Sequence, residues 1–295
     1  MEFNTFTEII RDRLREEYGE GYKVDITTTL KNNSVKLTGV MISEKGCNVA
    51  PTIYLEEHYT DFCDGKEIKD IVCDIMRVYR ENRTLTNIDT QMITDYGRIR
   101  ERITYKLINR EKNEEFLRSV PHRSFLDLAV VYYVTLGKTR SGEASFTVRN
   151  EQAEKWKVNE NDLWEEAKVN TPGLKKAEII SLFDFICDIT GTDPECNDCS
   201  NDLYVLTNTD RSNGASCILY DDLIADFAAK KECDVFIIPS SVHEVLLLPD
   251  PGDVDPKRLT GIIYDVNCTQ VTEQEILSYS LYKYSRSENA IAEVS

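Results

Sequence analysis

Apolar residues in the first segment recur at Phe3, Phe6, Ile10 and Leu14, with Ile9 at the edge of the stripe and Arg, Asp and Glu between them. That spacing predicts an amphipathic helix over residues 2–18, stopped at Gly19 and Gly21. Tyr22, Val24 and Ile26 then alternate with polar residues, Lys31-Asn32-Asn33 interrupts, and Val35, Leu37 and Gly39 resume the alternation. Two strands joined by a turn are expected. Val49 to Leu55 adds a third, with Pro51 at its start or on an edge. Ile68, Ile71, Val72, Ile75 and Tyr79 place a helix over 66–81, and Thr84 to Tyr96 reads as a loop or short helix.

Ile103, Tyr105 and Leu107 alternate as a strand. The longest apolar run, Leu126 to Leu136, reads as a central strand, with Ala144 to Val148 pairing back as a hairpin. Helices follow through Trp156 and around Leu163, Trp164 and Ala167, the second capped by Asn159 or Asn161 and ended by Thr171-Pro172-Gly173. Residues 179–189 read as helix, and 191–201 as a loop or linker. A second hairpin is expected from Leu203–Thr207 and Ala215–Tyr220 about a turn at Arg211 to Gly214, then a helix capped by Asp221 or Asp222. Two apolar runs, Val235–Ile238 and Val242–Leu248, read as buried strands joined through Pro239-Ser240-Ser241. Pro256–Asn267 and Thr272–Leu277 read as helices, the second with Thr272 and Glu275 as a capping box. Tyr279–Tyr284 reads as a last strand, and the tail after Arg286 as frayed.

These elements predict an α+β protein with mostly antiparallel sheets and flanking helices. An N-terminal α-β-β-β-α unit over 1–96 precedes a larger α+β domain over 97–295, built of two hairpin-and-helix modules at about 97–190 and 201–286. A chain of 295 residues, 41% hydrophobic, buries a real core and is not disordered as a whole. No run of about 18 apolar residues predicts a membrane helix, and the first residues lack the shape of a signal peptide. Nine scattered cysteines then read as reduced thiols in a cytoplasm. The net charge of −17 repels a phosphate backbone unless a basic patch gathers locally. The densest basic stretch, Arg98 to Arg118, is interrupted by Glu101, Glu111, Glu114 and Glu115, so nucleic acid is not an expected partner. The acidity reads as solubility, with an acidic nucleic-acid mimic as the alternative.

Four blocks are similar to a bacterial family with no assigned activity, domain of unknown function 5688: residues 48–59, 120–134, 203–220 and 239–250. That family is found mostly in gut Clostridia. More distantly, the order of elements from about residue 100 onward is similar to the YtpQ-like family. The resemblance implies a cytoplasmic bacterial protein and carries over no catalytic residue.

Chemistry centres on three histidines, His58, His122 and His243. His243-Glu244 opens like a zinc-protease motif, but Leu247 stands where the second histidine belongs, so no such metal site is assigned. Ser240 or Ser241 with His243 invites a nucleophile–base reading. On a strand Ser241 and His243 share a face about 6.5 Å apart, too far for a hydrogen bond without a bend. The plainer reading makes Pro239-Ser240-Ser241 a turn whose hydroxyls satisfy backbone groups. His122 with Asp127 orienting it is a second acid–base candidate, beside Arg123. Ser212-Asn213-Gly214 reads as a turn first, with Asn213 a candidate binding residue. Cys196 and Cys199 form one Cys-x-x-Cys without a second pair, so zinc, redox and plain loop readings remain. No complete catalytic or cofactor motif assembles. The expectation is a non-catalytic cytoplasmic protein that binds a protein or small molecule, away from membranes. The alternative is a hydrolase gathering His122, Ser240, Ser241, His243 and Glu244.

Overall fold

The computed structural model describes residues 1–47, 50–82, 93–139, 142–191 and 202–294. They form an α+β protein whose strands pair antiparallel. They group into two compact units, Met1–Asp95 with Leu136–Ser145, and Tyr96–Thr135 with Phe146–Ser295.

In the first unit, α1 (Phe3–Tyr18) buries Phe6, Ile10 and Leu14, the stripe its sequence predicts. The stripe packs on a sheet of β1 (Tyr22–Leu30), β2 (Lys36–Glu44) and β3 (Thr52–Tyr54), through Val24, Val40, Ile42 and Ile53. Helix α2 (Glu56–Cys63) follows β3 and buries no residue fully, so no apolar stripe announced it. Its first residue, Glu56, accepts the Thr38 N–H at 2.6 Å, which ties it to β2. Helix α3 (Ile68–Asn82) completes the core with Ile71, Val72, Ile75 and Tyr79.

Residues 96–294 hold two further sheets. One places β6 (Leu128–Thr139) between β4 (Ile103–Asn109) and β5 (His122–Phe125), with β7 (Gly142–Thr147) folding back on β6. Helices α4 (Asn150–Trp156) and α5 (Glu160–Leu174) follow. The predicted cap of α5 is present: Asn159 and Asp162 satisfy each other's backbone N–H. This helix ends at Leu174, one residue past the predicted Thr171-Pro172-Gly173 stop, with Pro172 inside its last turn. Its last turn is pinned, because the Thr171 hydroxyl donates to Ala167 O at 2.6 Å and accepts the Tyr105 N–H of β4 at 3.1 Å.

The other sheet has the order β13-β12-β10-β11-β9-β8. Its strands are β8 (Ala177–Ser181), β9 (Tyr204–Asn208), β10 (Asp234–Pro239), β11 (Val245–Asp250), β12 (Tyr282–Ser285) and β13 (Ala290–Glu293). Four expectations are corrected here. The helix over 179–189 is strand β8 followed by α6 (Leu182–Thr190), divided where the Ser181 hydroxyl accepts the Asp184 N–H at 3.0 Å. Residues 214–219 form a 3-10 helix, not the return strand of a hairpin, so β9 pairs with β8 and β11. The second hairpin of this region is instead β10–β11, between α7 (Leu223–Lys231) and α8 (Pro256–Thr269). Residues 272–277 are a single turn, in which the Glu275 and Ile276 N–H groups both reach Thr272 O, and the Glu275 carbonyl accepts Val242 N–H at 2.8 Å. The tail is no frayed end either: β13 pairs with β12 from Ala290 to Glu293.

Asp127 joins the two sheets of this unit. It sits in the two-residue turn between β5 and β6, where Phe125 pairs with Leu128. Leu126 holds φ 54° at the turn's first central position, a place such turns usually give to glycine. The Asp127 carboxylate accepts the Ser278 hydroxyl at 2.6 Å and the Tyr282 hydroxyl of β12. Burial and the Asp127 charge push the Tyr282 hydroxyl far up, so it stays a donor. Asp127→Ala leaves two hydroxyls without their acceptor, at about 1–3 kcal/mol for each that stays buried and unpaired. Urea unfolding is expected to show a loss of that order, with Asp127→Asn losing less.

Candidate functional site

Three segments of the second unit meet around His243. The first is the turn after β10. There the Ser241 N–H donates to Glu244 O at 3.2 Å, and the Ser241 and Ser240 hydroxyls both donate to Glu244 Oε1, at 2.9 and 3.1 Å. The His243 N–H donates to Ser241 Oγ at 2.9 Å. The plainer reading holds in part: Ser241 Oγ accepts a backbone N–H, but both hydroxyl protons go to the Glu244 carboxylate instead of to backbone groups. The apolar run at 242–248 is not one strand, since β11 starts only at Val245.

The second segment is the loop after β9. Asn208 is fully buried and holds this loop with both ends of its side chain. Its Oδ1 accepts the Asp210 and Ser212 N–H groups at 3.1 and 3.3 Å, and its Nδ2 donates to Ser212 O at 2.9 Å. Arg211 and Asn213 adopt left-handed backbone, φ 50° and 54°. Gly214 follows, and a Cβ there would lie 2.3 Å from Thr207 Oγ1, 2.5 Å from His243 O and 2.8 Å from Asn208 N. Thr207 Oγ1 donates to the His243 carbonyl at 2.8 Å, and Ala215 N–H to the Val242 carbonyl at 3.3 Å. The third segment is the 272–277 turn, which brings Glu275 Oε1 to 3.7 Å from His243 Nε2.

The imidazole is oriented by these neighbours. Asn213 N–H donates to His243 Nδ1 at 3.3 Å, so the lone pair of the neutral ring lies on Nδ1 and its proton on Nε2, toward Glu275. The Ser241 hydroxyl proton goes to Glu244, not to the ring. His243 and Ser241 are thus adjacent without forming a nucleophile–base pair.

The remaining candidates lie elsewhere. His122 is exposed on β5. Its Nδ1 lies 3.0 Å from Val120 O, an obligate acceptor, so Nδ1 carries the proton and Nε2 the lone pair. Asp127 does not orient it, being engaged with Ser278 and Tyr282. Arg123 donates in a fork to both Glu160 oxygens at 3.1 and 3.0 Å and lies 4.7 Å above the Trp164 ring, a clamp on the start of α5. No hydrogen bond or ion pair joins His122 to His243. His58 lies half-buried on α2, and burial holds its ring below the usual histidine range. Cys196 and Cys199 fall outside the described residues. Among the described residues no group of three or more His, Cys, Asp or Glu is placed to hold a metal ion.

Two buried groups beside the loop carry no sequence pattern. Lys175, only 2% exposed, faces Asp210 at 3.5 Å and so anchors the loop from beneath. Cys217 donates to Thr207 O at 3.3 Å, and burial pushes its thiol up to about 12.

The fold and site define an α+β protein in which Ser240, Ser241 and Glu244 are hydrogen-bonded within one turn beside His243. The chain belongs to DUF5688, a family of unknown function, whose model matches residues 3–286. No curated protein and no solved structure matches it, and the YtpQ-like similarity gains no support.

Gly214→Ala is expected to destabilise the second unit by about 1–3 kcal/mol, the usual cost of overpacking, measured by urea unfolding. Cys217 reacts only as thiolate, which forms as pH rises toward about 12, so iodoacetamide at pH 8 is expected to label it only after unfolding. Peptide mapping of native and denatured protein checks this.

Proposed function

We propose that this is a non-catalytic cytoplasmic binding or accessory protein, acting through a protein or small-molecule partner. The observation that carries the reading is the direction of the hydrogen bonds at His243. Its lone pair faces the Asn213 amide, and the neighbouring serine proton goes to Glu244. Exposed apolar residues fit a partner surface. Helix α6 buries no residue fully and leaves Ile186 and Ile189 exposed one turn apart, and α8 exposes Ile262 and Tyr264.

A hydrolase is the second reading, and one observation favours it at His122. His122 lines a cleft of about 550 Å³ together with Glu154, Asn159 and Glu160, and its Nδ1 is held by Val120 O, which leaves Nε2 to carry the lone pair of the neutral ring. No serine, threonine or cysteine lines this cleft, so the chemistry there would be activation of water.

Purified protein is expected to take no label from a serine-reactive fluorophosphonate. It is also expected to show no turnover of generic ester, peptide or phosphoester substrates, with His243→Ala and His122→Ala at the same background. Turnover that falls about 10²–10⁴-fold in either variant would overturn the non-catalytic reading and show which histidine is responsible.

A further inference from the structure

The backbone of β1 is paired on one side only, and its free side can be derived residue by residue. Lys31 N–H donates to Val35 O at 2.7 Å and Lys45 N–H to Gly21 O at 3.0 Å, one bond at each end of the β1–β2 ladder. In an antiparallel ladder the bonded residues alternate, so 23, 25, 27 and 29 face β2, and 22, 24, 26, 28 and 30 face outward. The outward groups at the start of the strand are used: Tyr22 N–H donates to Gly19 O, and Arg15 Nε takes the Val24 carbonyl at 2.9 Å. The N–H and C=O of Ile26, Thr28 and Leu30 have no hydrogen-bond partner among the described residues.

Edge strands of this kind are usually short, charged, bulged or broken by proline. At nine residues β1 is the longest strand at a sheet edge among the described residues, and its register with β2 runs without a bulge. Ile26–Leu30 carries neither charge nor proline.

We propose that Ile26–Leu30 pairs with the same segment of a second copy, antiparallel about Thr28, joining two three-stranded sheets into one. This proposal is independent of the function proposed above. Three features of the chain select that occupant and register. Thr28 opposite itself sets Ile26 against Leu30 in both directions, so outward groups meet outward groups along the whole segment. Val24 lies outside the new ladder, and its carbonyl keeps Arg15. Asp25 of each copy falls opposite Lys31 of the other, on the same face of the sheet. Among the described residues Lys31 makes no ion pair; its Nζ rests 4.4 Å over the Tyr54 ring of β3 and would turn to the β1 edge on pairing, adding to the Lys23 and Arg15 contacts that Asp25 already makes.

The test is sedimentation velocity on the full chain over a series from low micromolar to submillimolar concentration. A reversible monomer–dimer equilibrium is expected. Thr28→Pro removes an N–H that faces away from β2, so the fold survives, as circular dichroism would confirm, while dimerisation weakens about tenfold or more. Asp25→Lys and Lys31→Asp each set like charges opposite one another and weaken it, and the double swap restores it. The double swap also decides the matter should Thr28→Pro misfold. A monomer at every concentration, a dimer undiminished by a folded Thr28→Pro, or a double swap no better than the single changes overturns the proposal.

Discussion

One carboxylate sets the geometry of the second unit. Asp127 stands in the turn between β5 and β6 and receives two hydroxyls from the far end of the chain, Ser278 and Tyr282. Close by, Asn109 Nδ2 donates to Leu277 O at 3.1 Å, so the end of β4 grips the same segment. Fixing 277–282 fixes the turn before it. That turn supplies the Glu275 carbonyl to Val242 and the Glu275 carboxylate to the side of His243. The orientation of His243 therefore rests on a contact made in another sheet. The positive φ of Leu126 is the local strain accepted to aim Asp127.

His243 and His122 show how much a hydrogen-bond partner decides. His243 accepts a backbone N–H through Nδ1, and His122 donates through Nδ1 to a backbone carbonyl. In their neutral forms the two rings are thus opposite tautomers. One turns a proton outward and the other a lone pair, a difference that residue type alone does not hold.

Where burial alternates at a fixed period, the sequence was enough. The stripe of α1, the three strands after it, the central strand β6 and the cap of α5 could all be read from spacing. The reading failed where a distant group claimed a backbone atom. Residues 215–220 read as a return strand after the Asn-Gly turn, yet Gly214 is pressed against Thr207 and His243, and the chain winds into a 3-10 turn. Thr272-x-x-Glu275 has the letters of a capping box, but only one turn forms there and its Glu275 carbonyl goes to Val242. At the candidate site, the turn-forming role of Ser240 and Ser241 was legible from Pro239 before them. The burial of Lys175 under Asp210 was not, because a lysine gives the same signal whether buried or exposed.

The span of the Asp127 contact bears on how the protein is made. Asp127 and Ser278 are 151 residues apart in the chain. At ordinary rates of synthesis, roughly 8–30 s separate the appearance of one from the other. Through that interval β4, β5 and β6 have emerged while the segment that completes them has not. The second unit can close around Asp127 only after Tyr282 has emerged from the ribosome. A nascent chain paused before Tyr282 would hold the first unit complete and the second still waiting for its last strands.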